Sequence, residues 1–437
     1  MSRATFAKGL DPTRLRELLD QPLDDSMKGV PLGVRTTLAE VPSQGWNVAA
    51  GDLSLPVTTL YADAVASNLQ AMAEYCRRSG ASFAPHGKTT MAPQIFDRQL
   101  RAGAWGLTCA TPTQAAVMRR FGVPRILVAN ELTEAGAWRW VVRELDRDPG
   151  FQLFSLVDSV GTVGLVDAIL RPLSPVRPLD VLLEVGVDGG RAGVRTVEQA
   201  VDVARAVKAS PYLRLVGVEA YEGLVTAGGD REALDALDSF LTRVRETTLA
   251  LGAAGLLERE EIIVTAGGSA YFDRVVANLS GWDETDRPVR LVLRSGCYVS
   301  HDAGKYEQLS PLDGRAPDDE PLRLQNALTA WASVLSAPEP GLVILGTGKR
   351  DVAHDLTLPV PRTRFRSDGS SLDLRGGAET VKLMDQHAFL RVGDLDVTPG
   401  DVVALDCSHP CTAFDKTTFV PLVDRDHTVV DAVRTFF

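Results

Sequence analysis

The hexapeptide PHGKTT at 85–90 holds the side chain with the widest chemical reach, Lys88. It overlaps the end of a strand candidate, SFAPHG at 82–87, and precedes a helical stretch from Met91 to Leu100. In barrel enzymes the C-terminal end of a strand carries the chemistry. A partly buried lysine there can lose its proton and form an imine with a carbonyl compound. Read alone, such a hexapeptide more often marks a surface lysine near a helix start. Three further loops follow strand candidates. EVGVDGGRAG at 184–193 combines tight-turn glycines with Arg191, whose guanidinium can fork onto an anion or phenolate. TAGGS at 265–269 offers backbone N–H groups of Gly267 and Gly268 and the hydroxyl of Ser269 to a phosphate. RSGCY at 294–298 is the fourth loop, and Tyr221 ends another strand facing the same side. Near the C-terminus, SHPC at 408–411 places His409 and Cys411 two apart, so both can point at one soft or borderline cation such as Zn²⁺. Most H-x-C triplets are incidental.

Elements must position these side chains. From residue 56, β-branched runs alternate with amphipathic stretches, as βα units do. The strand candidates are 56–62, 82–87, 105–110, 125–130, 151–158, 179–186, 213–221, 261–268 and 289–296. Helices are expected at 63–78 with Asp63 capping, at 197–208 and at 231–251. Near-continuous apolar strands between helices imply a parallel sheet covered on both faces. Nine candidates are one more than a closed barrel needs. With SFAPHG as strand one, the loops at 265–269 and 294–298 follow strands seven and eight, where barrels often bind phosphate. After residue 300 helical periodicity fades and β-rich pieces dominate, around a polar segment, DGRAPDDEP at 313–321. The expected fold class is therefore α/β: a (β/α)8 TIM-type barrel at 55–300, a C-terminal mainly antiparallel β domain at 301–437, and an N-terminal extension at 1–54 packing on the body.

The 437 residues suit a barrel of about 250 residues plus a second domain. The net charge of −11, without a basic run, argues against a nucleic-acid or membrane-surface role. Five scattered cysteines do not form a disulfide framework. The N-terminus lacks the apolar core of a signal peptide, and no stretch reaches the ~20 apolar residues of a membrane span. A cytoplasmic location is expected. No G-x-S-x-G or G-x-x-x-x-G-K-[ST] occurs, which argues against a serine-hydrolase elbow or a P-loop.

Taken together and in order, PHGKTT, EVGVDGGRAG, EAYEG, GGS, RSGCYV and SHPCT resemble the D-serine dehydratase and D-threonine aldolase branch of the alanine-racemase-like (fold type III) pyridoxal 5′-phosphate enzymes. The likeness spans about 55–437. It implies that Lys88 joins the cofactor aldehyde and takes the Cα proton. It implies that Gly267, Gly268, Ser269, Cys297 and Tyr298 lie around the phosphate, with Tyr221 at the same mouth. Arg191 is implied near the cofactor's O3′, Arg294 near its pyridine nitrogen, and His409 and Cys411 around zinc or another divalent metal. It places the lysine on barrel strand one, so the run at 56–62 precedes the barrel proper. A homodimer is implied, with sites formed between one barrel and the partner's β domain. Thr90 departs from the pattern, since the branch carries a histidine there.

The expected activity is cofactor- and metal-dependent dehydration and deamination of D-serine or a similar β-hydroxy D-amino acid, giving a keto acid and ammonia. The alternatives are retro-aldol cleavage to glycine and an aldehyde, racemisation, for which no second base is identifiable, and cofactor binding without turnover.

Overall fold

The computed structural model describes residues 9–437. Eight parallel strands, Ser82–Phe83, Leu107–Cys109, Arg125–Glu131, Gln152–Val157, Leu179–Val185, Leu213–Ala220, Ile262–Ala266 and Val289–Leu293, pair in sequence order. The eighth pairs back onto the first, with Val292 beside Ser82 and Leu293 beside Phe83. A bridge between His86 and Thr108 joins the first to the second and closes the curl. Buried Ala84, Leu127, Phe154, Leu156, Leu182, Val216, Ile263 and Val292 fill its interior, so it is a packed core and not a pore. Burying one side chain the size of Phe154 contributes roughly 2–3 kcal/mol.

The ninth candidate is a real strand in another sheet. Val57–Tyr61 pairs antiparallel with Leu328–Glu339 and parallel with Phe419–Val423. All five of its residues are buried. The chain thus lays one strand of the β domain, runs through the barrel, and returns to finish that domain. Around it lie Leu342–Leu345, Val360–Phe365, Ser371–Asp373, Glu379–Leu383, Ala388–Arg391, Val402–Asp406 and Val429–Arg434, otherwise paired antiparallel. Trp331, fully buried, donates its indole N–H to Thr59 Oγ1 at 2.8 Å and locks the early strand to the late domain.

The helices fall close to expectation, at Ala62–Ser79, Val197–Ala209 and Arg231–Ala253. Asp63 is not the cap of the first, because the helix begins one residue earlier and Tyr61 takes the cap position. Thr196 and Asp230 cap the other two by accepting from the amides of Gln199 and Ala233. Residues 1–8 of the expected extension lie outside the described residues. Within the rest of it, Val48 donates its amide to the carbonyl of His427, while Leu10 donates to Asp97 of the barrel.

Candidate active site at the barrel mouth

Lys88 lies in a short 3-10 turn, Gly87–Thr89, immediately after the first barrel strand. The loop after strand eight packs hard against that turn. A side chain at Gly296 would meet the carbonyl oxygen of His86 at 2.6 Å and Thr89 Oγ1 at 2.7 Å, so only glycine fits. Next to Lys88, His86 is held far below the usual histidine range, first by burial and then by the charges of Lys88, Arg294 and Arg191. It is a neutral imidazole, and its buried Nδ1 has no hydrogen-bond partner.

Acidic groups lie at or near the C-terminal ends of strands three, five and six. Glu131, Glu184 and Glu219 interact with one another. Glu184 is pushed up to about 9, first by burial and then by the charges of Glu219 and Glu131. Arg294 is buried and fully engaged: it pairs with Glu219 and donates to Thr265 Oγ1 at 3.0 Å and the carbonyl of Ala220 at 2.9 Å. The other carboxylate oxygen of Glu219, Oε2, is buried without a partner. Arg191 stands 4.0 Å from Glu184, and its guanidinium carbon lies 5.2 Å from the centre of the Tyr221 ring. Burial pushes the Tyr221 phenol up to about 12. Gly268 packs against that ring, where an added side chain would meet it at 3.0 Å.

The glycine loop departs from expectation. The amides of Gly267 and Gly268 donate to the buried carboxylate of Glu222, at 3.0 and 2.6 Å. Those two N–H groups are therefore spent on holding the loop's shape. Gly267 needs its φ of +96° to make the turn. Ser269 Oγ accepts from the Cys297 amide at 3.1 Å, and Ser295 Oγ donates to the carbonyls of Gly267 and Gly268. The loops after strands seven and eight are thus one bonded unit. Tyr298 points elsewhere. Its ring packs edge-on to Phe83 and its hydroxyl accepts from Gln99 Nε2 at 3.2 Å, inside the core.

The Cys297 side chain also departs from expectation. Its sulfur faces the β domain and lies 3.6 Å from Cys411 Sγ. His409 caps a short helix, Pro410–Phe414, that packs on the lysine turn. Thr89 Oγ1, one residue from the lysine, is 3.3 Å from Cys411 Sγ. Ligand atoms of Cys297, His409 and Cys411 all fall within 4.8 Å of one another. Asp355 accepts from His409 Nδ1 at 3.0 Å and from Thr412 Oγ1 at 2.5 Å, which leaves His409 Nε2 for a metal. Asp302 accepts from the amides of Gly304, Tyr306 and Glu307, and its other oxygen accepts from Ser408 Oγ at 2.6 Å. This ties the segment after strand eight to the residue before His409. The neighbouring Cys297 sulfur, and then burial, push the Tyr306 phenol above its ordinary range.

Sequence reasoning missed His86, Glu131, Glu219, Glu222, Tyr306 and Asp355. The residues present suit pyridoxal phosphate and a divalent metal: an amine, a buried orphan imidazole nitrogen, hydroxyls on the strand-seven and strand-eight loops, and a thiol–imidazole donor set. A cavity of about 1580 Å³ opens at the opposite end of the barrel, where Ser82, Gln152, Arg214 and Arg290 line it.

Comparisons with known proteins find relatives for both parts of the chain. Residues 60–278, half of the chain, match the family model described as "Alanine racemase, N-terminal domain", and 327–423 match "Putative serine dehydratase domain". A 3-hydroxy-D-aspartate aldolase of Paracoccus denitrificans (strain Pd 1222) is 28% identical over 377 residues, 83% of this chain and 88% of the relative. A D-threonine aldolase of Arthrobacter sp. is 26% identical, over 84% of this chain and 87% of its own. Among solved structures, D-threonine aldolase from Filomicrobium marinum superposes with a TM-score of 0.73 at 24% identity, covering 90% of this chain and 97% of that one. D-threo-3-hydroxyaspartate dehydratase from Delftia sp. HT23 gives 0.70 at 21%, covering 89% and 99%. The chain belongs to the alanine-racemase-like family, in the branch that joins the racemase barrel to a serine-dehydratase-type β domain.

Proposed function

We propose that this protein is a pyridoxal-phosphate- and metal-dependent lyase that removes the β-hydroxyl and the amine of a β-hydroxy D-amino acid such as D-serine. One observation carries the reading: Thr89, the residue after Lys88, has its Oγ1 3.3 Å from Cys411 Sγ, which supports a lysine turn and a thiol–imidazole set acting at one mouth. A substrate held with its Cα at the lysine would then present its β-oxygen to the metal ligands.

When bound, the cofactor supplies a sink for charge at Cα and the metal a Lewis acid for the β-oxygen. The chain does the rest. Lys88 Nζ would hold the cofactor through its aldehyde, and the same amine, when free, would take the proton from Cα. Arg191 stands over Tyr221 with Glu184 beside it, and would meet the cofactor's phenolic oxygen. Arg294 is neutralised by Glu219, so the far side of the barrel mouth offers a charge-balanced pair and not a bare cation. Thr90, buried, offers a hydroxyl where the branch carries an imidazole. D-Serine would lose its Cα proton and β-hydroxide, and one water would then hydrolyse the released enamine to pyruvate and ammonia.

A second reading is retro-aldol cleavage to glycine and an aldehyde. It is favoured by the aldolase names of the sequence relatives. The dehydratase reading is favoured by the matched C-terminal domain and by a dehydratase structure, a variant of which was solved metal-free. Incubating the cofactor-loaded protein with D-serine, D-threonine and 3-hydroxy-D-aspartate, with and without chelator, separates them. Keto acid plus ammonia, lost with chelator, is expected. Glycine plus aldehyde selects the aldolase, and turnover insensitive to chelator refutes the metal role.

A further inference from the structure

Resting on that reading of a metal at the mouth, we propose that Cys297 is a third protein ligand, so that the centre is Cys297–His409–Cys411 with one position left for substrate. The three side chains come from distant parts of the fold. Cys297 opens the 3-10 turn after barrel strand eight, whereas His409 and Cys411 start a short helix in the β domain. Their ligand atoms nonetheless converge within 4.8 Å. Two sulfurs bound to one tetrahedral zinc, each about 2.3 Å from it, lie about 3.8 Å apart. The 3.6 Å between Cys297 Sγ and Cys411 Sγ matches that spacing, and a disulfide needs about 2.0 Å. All five cysteines are free, and among the described residues this is the only group of three or more histidine, cysteine or acidic side chains arranged to hold a metal ion. Asp355 on Nδ1 fixes the ring of His409 with Nε2 left over.

Chemical consequences follow. Two thiolates and an imidazole form a soft donor set that selects zinc over magnesium or manganese. Both sulfurs bind as thiolates, and two thiolates cancel the charge of the dication. Three protein ligands leave one position of a tetrahedral set, enough for a single β-oxygen. The centre also reaches the cofactor loop, because the amide of Cys297 donates to Ser269 Oγ. Metal therefore staples the strand-eight loop to the β domain through the same residue.

The test uses the full-length, cofactor-loaded protein. The metal is removed by chelator and replaced with Co²⁺, and the sulfur-to-cobalt charge-transfer band is read per metal. Wild type is expected to show about twice the band intensity of Cys297→Ser, and Cys297→Ser to bind zinc at least tenfold more weakly. In wild type alone, zinc is expected to shield both Cys297 and Cys411 from alkylation, read peptide by peptide by mass spectrometry. That arm decides the matter even if the variant does not fold. Equal band intensity in Cys297→Ser, alkylation of Cys297 in zinc-loaded protein, or a Cys297–Cys411 disulfide in that protein overturns the third ligand. If His409→Ala alone loses the metal, the two-ligand centre survives without Cys297. If wild type binds neither zinc nor cobalt, the metal reading itself falls.

Discussion

Asp355 carries no motif, yet it sets which nitrogen of His409 faces the centre. Its oxygens accept from His409 Nδ1 and Thr412 Oγ1. Removing such a partner typically weakens metal binding 10–100-fold. Asp355→Asn is therefore expected to lower zinc affinity by about that factor with the fold intact, as measured by competition with a chromogenic chelator. Unchanged affinity would show that the carboxylate merely caps the helix start. At this scale the sequence was legible where backbone and side chain serve one purpose, as with Lys88 after a strand. It was misleading where they serve two. The amide of Cys297 does lie on Ser269, in the expected phosphate loop, while its sulfur faces Cys411. Tyr298 is the same case, with its turn at the mouth and its ring in the core against Phe83. Asp355 and Tyr306 were not legible, because their approach to the site depends on loops far apart in the chain.

Loops after strands five to eight are held by side chains as much as by backbone. Glu222 alone satisfies the amides of Gly267 and Gly268. Leaving a buried N–H such as that of Gly267 and a half-buried one such as that of Gly268 unpaired costs up to roughly 1–3 kcal/mol each. Glu222→Ala should therefore lower stability by up to about 2–6 kcal/mol in denaturant unfolding and loosen cofactor binding. A variant as stable as wild type would show that water or another group takes over the amides. Apolar runs located every barrel strand, since each must be covered on both faces. The same property misdirects at Val57–Tyr61. A strand at the centre of a covered mixed sheet is as apolar as a barrel strand, and only its pairing with Leu328–Glu339 and Phe419–Val423 tells them apart.

Across the whole molecule, one domain is threaded through the other. Val57–Tyr61 precedes the barrel and is buried between strands that follow it. Truncation after residue 300 leaves this strand and the lysine turn without their covers. Such a fragment is expected to be insoluble or to bind 8-anilinonaphthalene-1-sulfonate strongly; a soluble, cooperatively melting barrel would contradict the account. Among the described residues no helix is long and apolar enough to cross a membrane. The buried acids add a global pH dependence. Glu184 keeps its proton to about 9 in the folded chain, whereas an unfolded glutamate releases it near 4.5. The native state then holds more protons than the unfolded one across that window, so stability falls as pH rises through it. Metal-free, cofactor-free protein should melt at lower temperature at pH 8.5 than at pH 6, and Glu184→Gln should flatten that slope. A melting temperature that rises between those pH values would contradict the assignment. The claim on which the rest depends is covalent attachment of the cofactor at Lys88. Borohydride reduction of the cofactor-loaded protein, followed by peptide mass spectrometry, tests it directly. The account predicts a phosphopyridoxyl group on the peptide that contains Lys88, and its loss in Lys88→Ala. A label on any other lysine, or none at all, would contradict it.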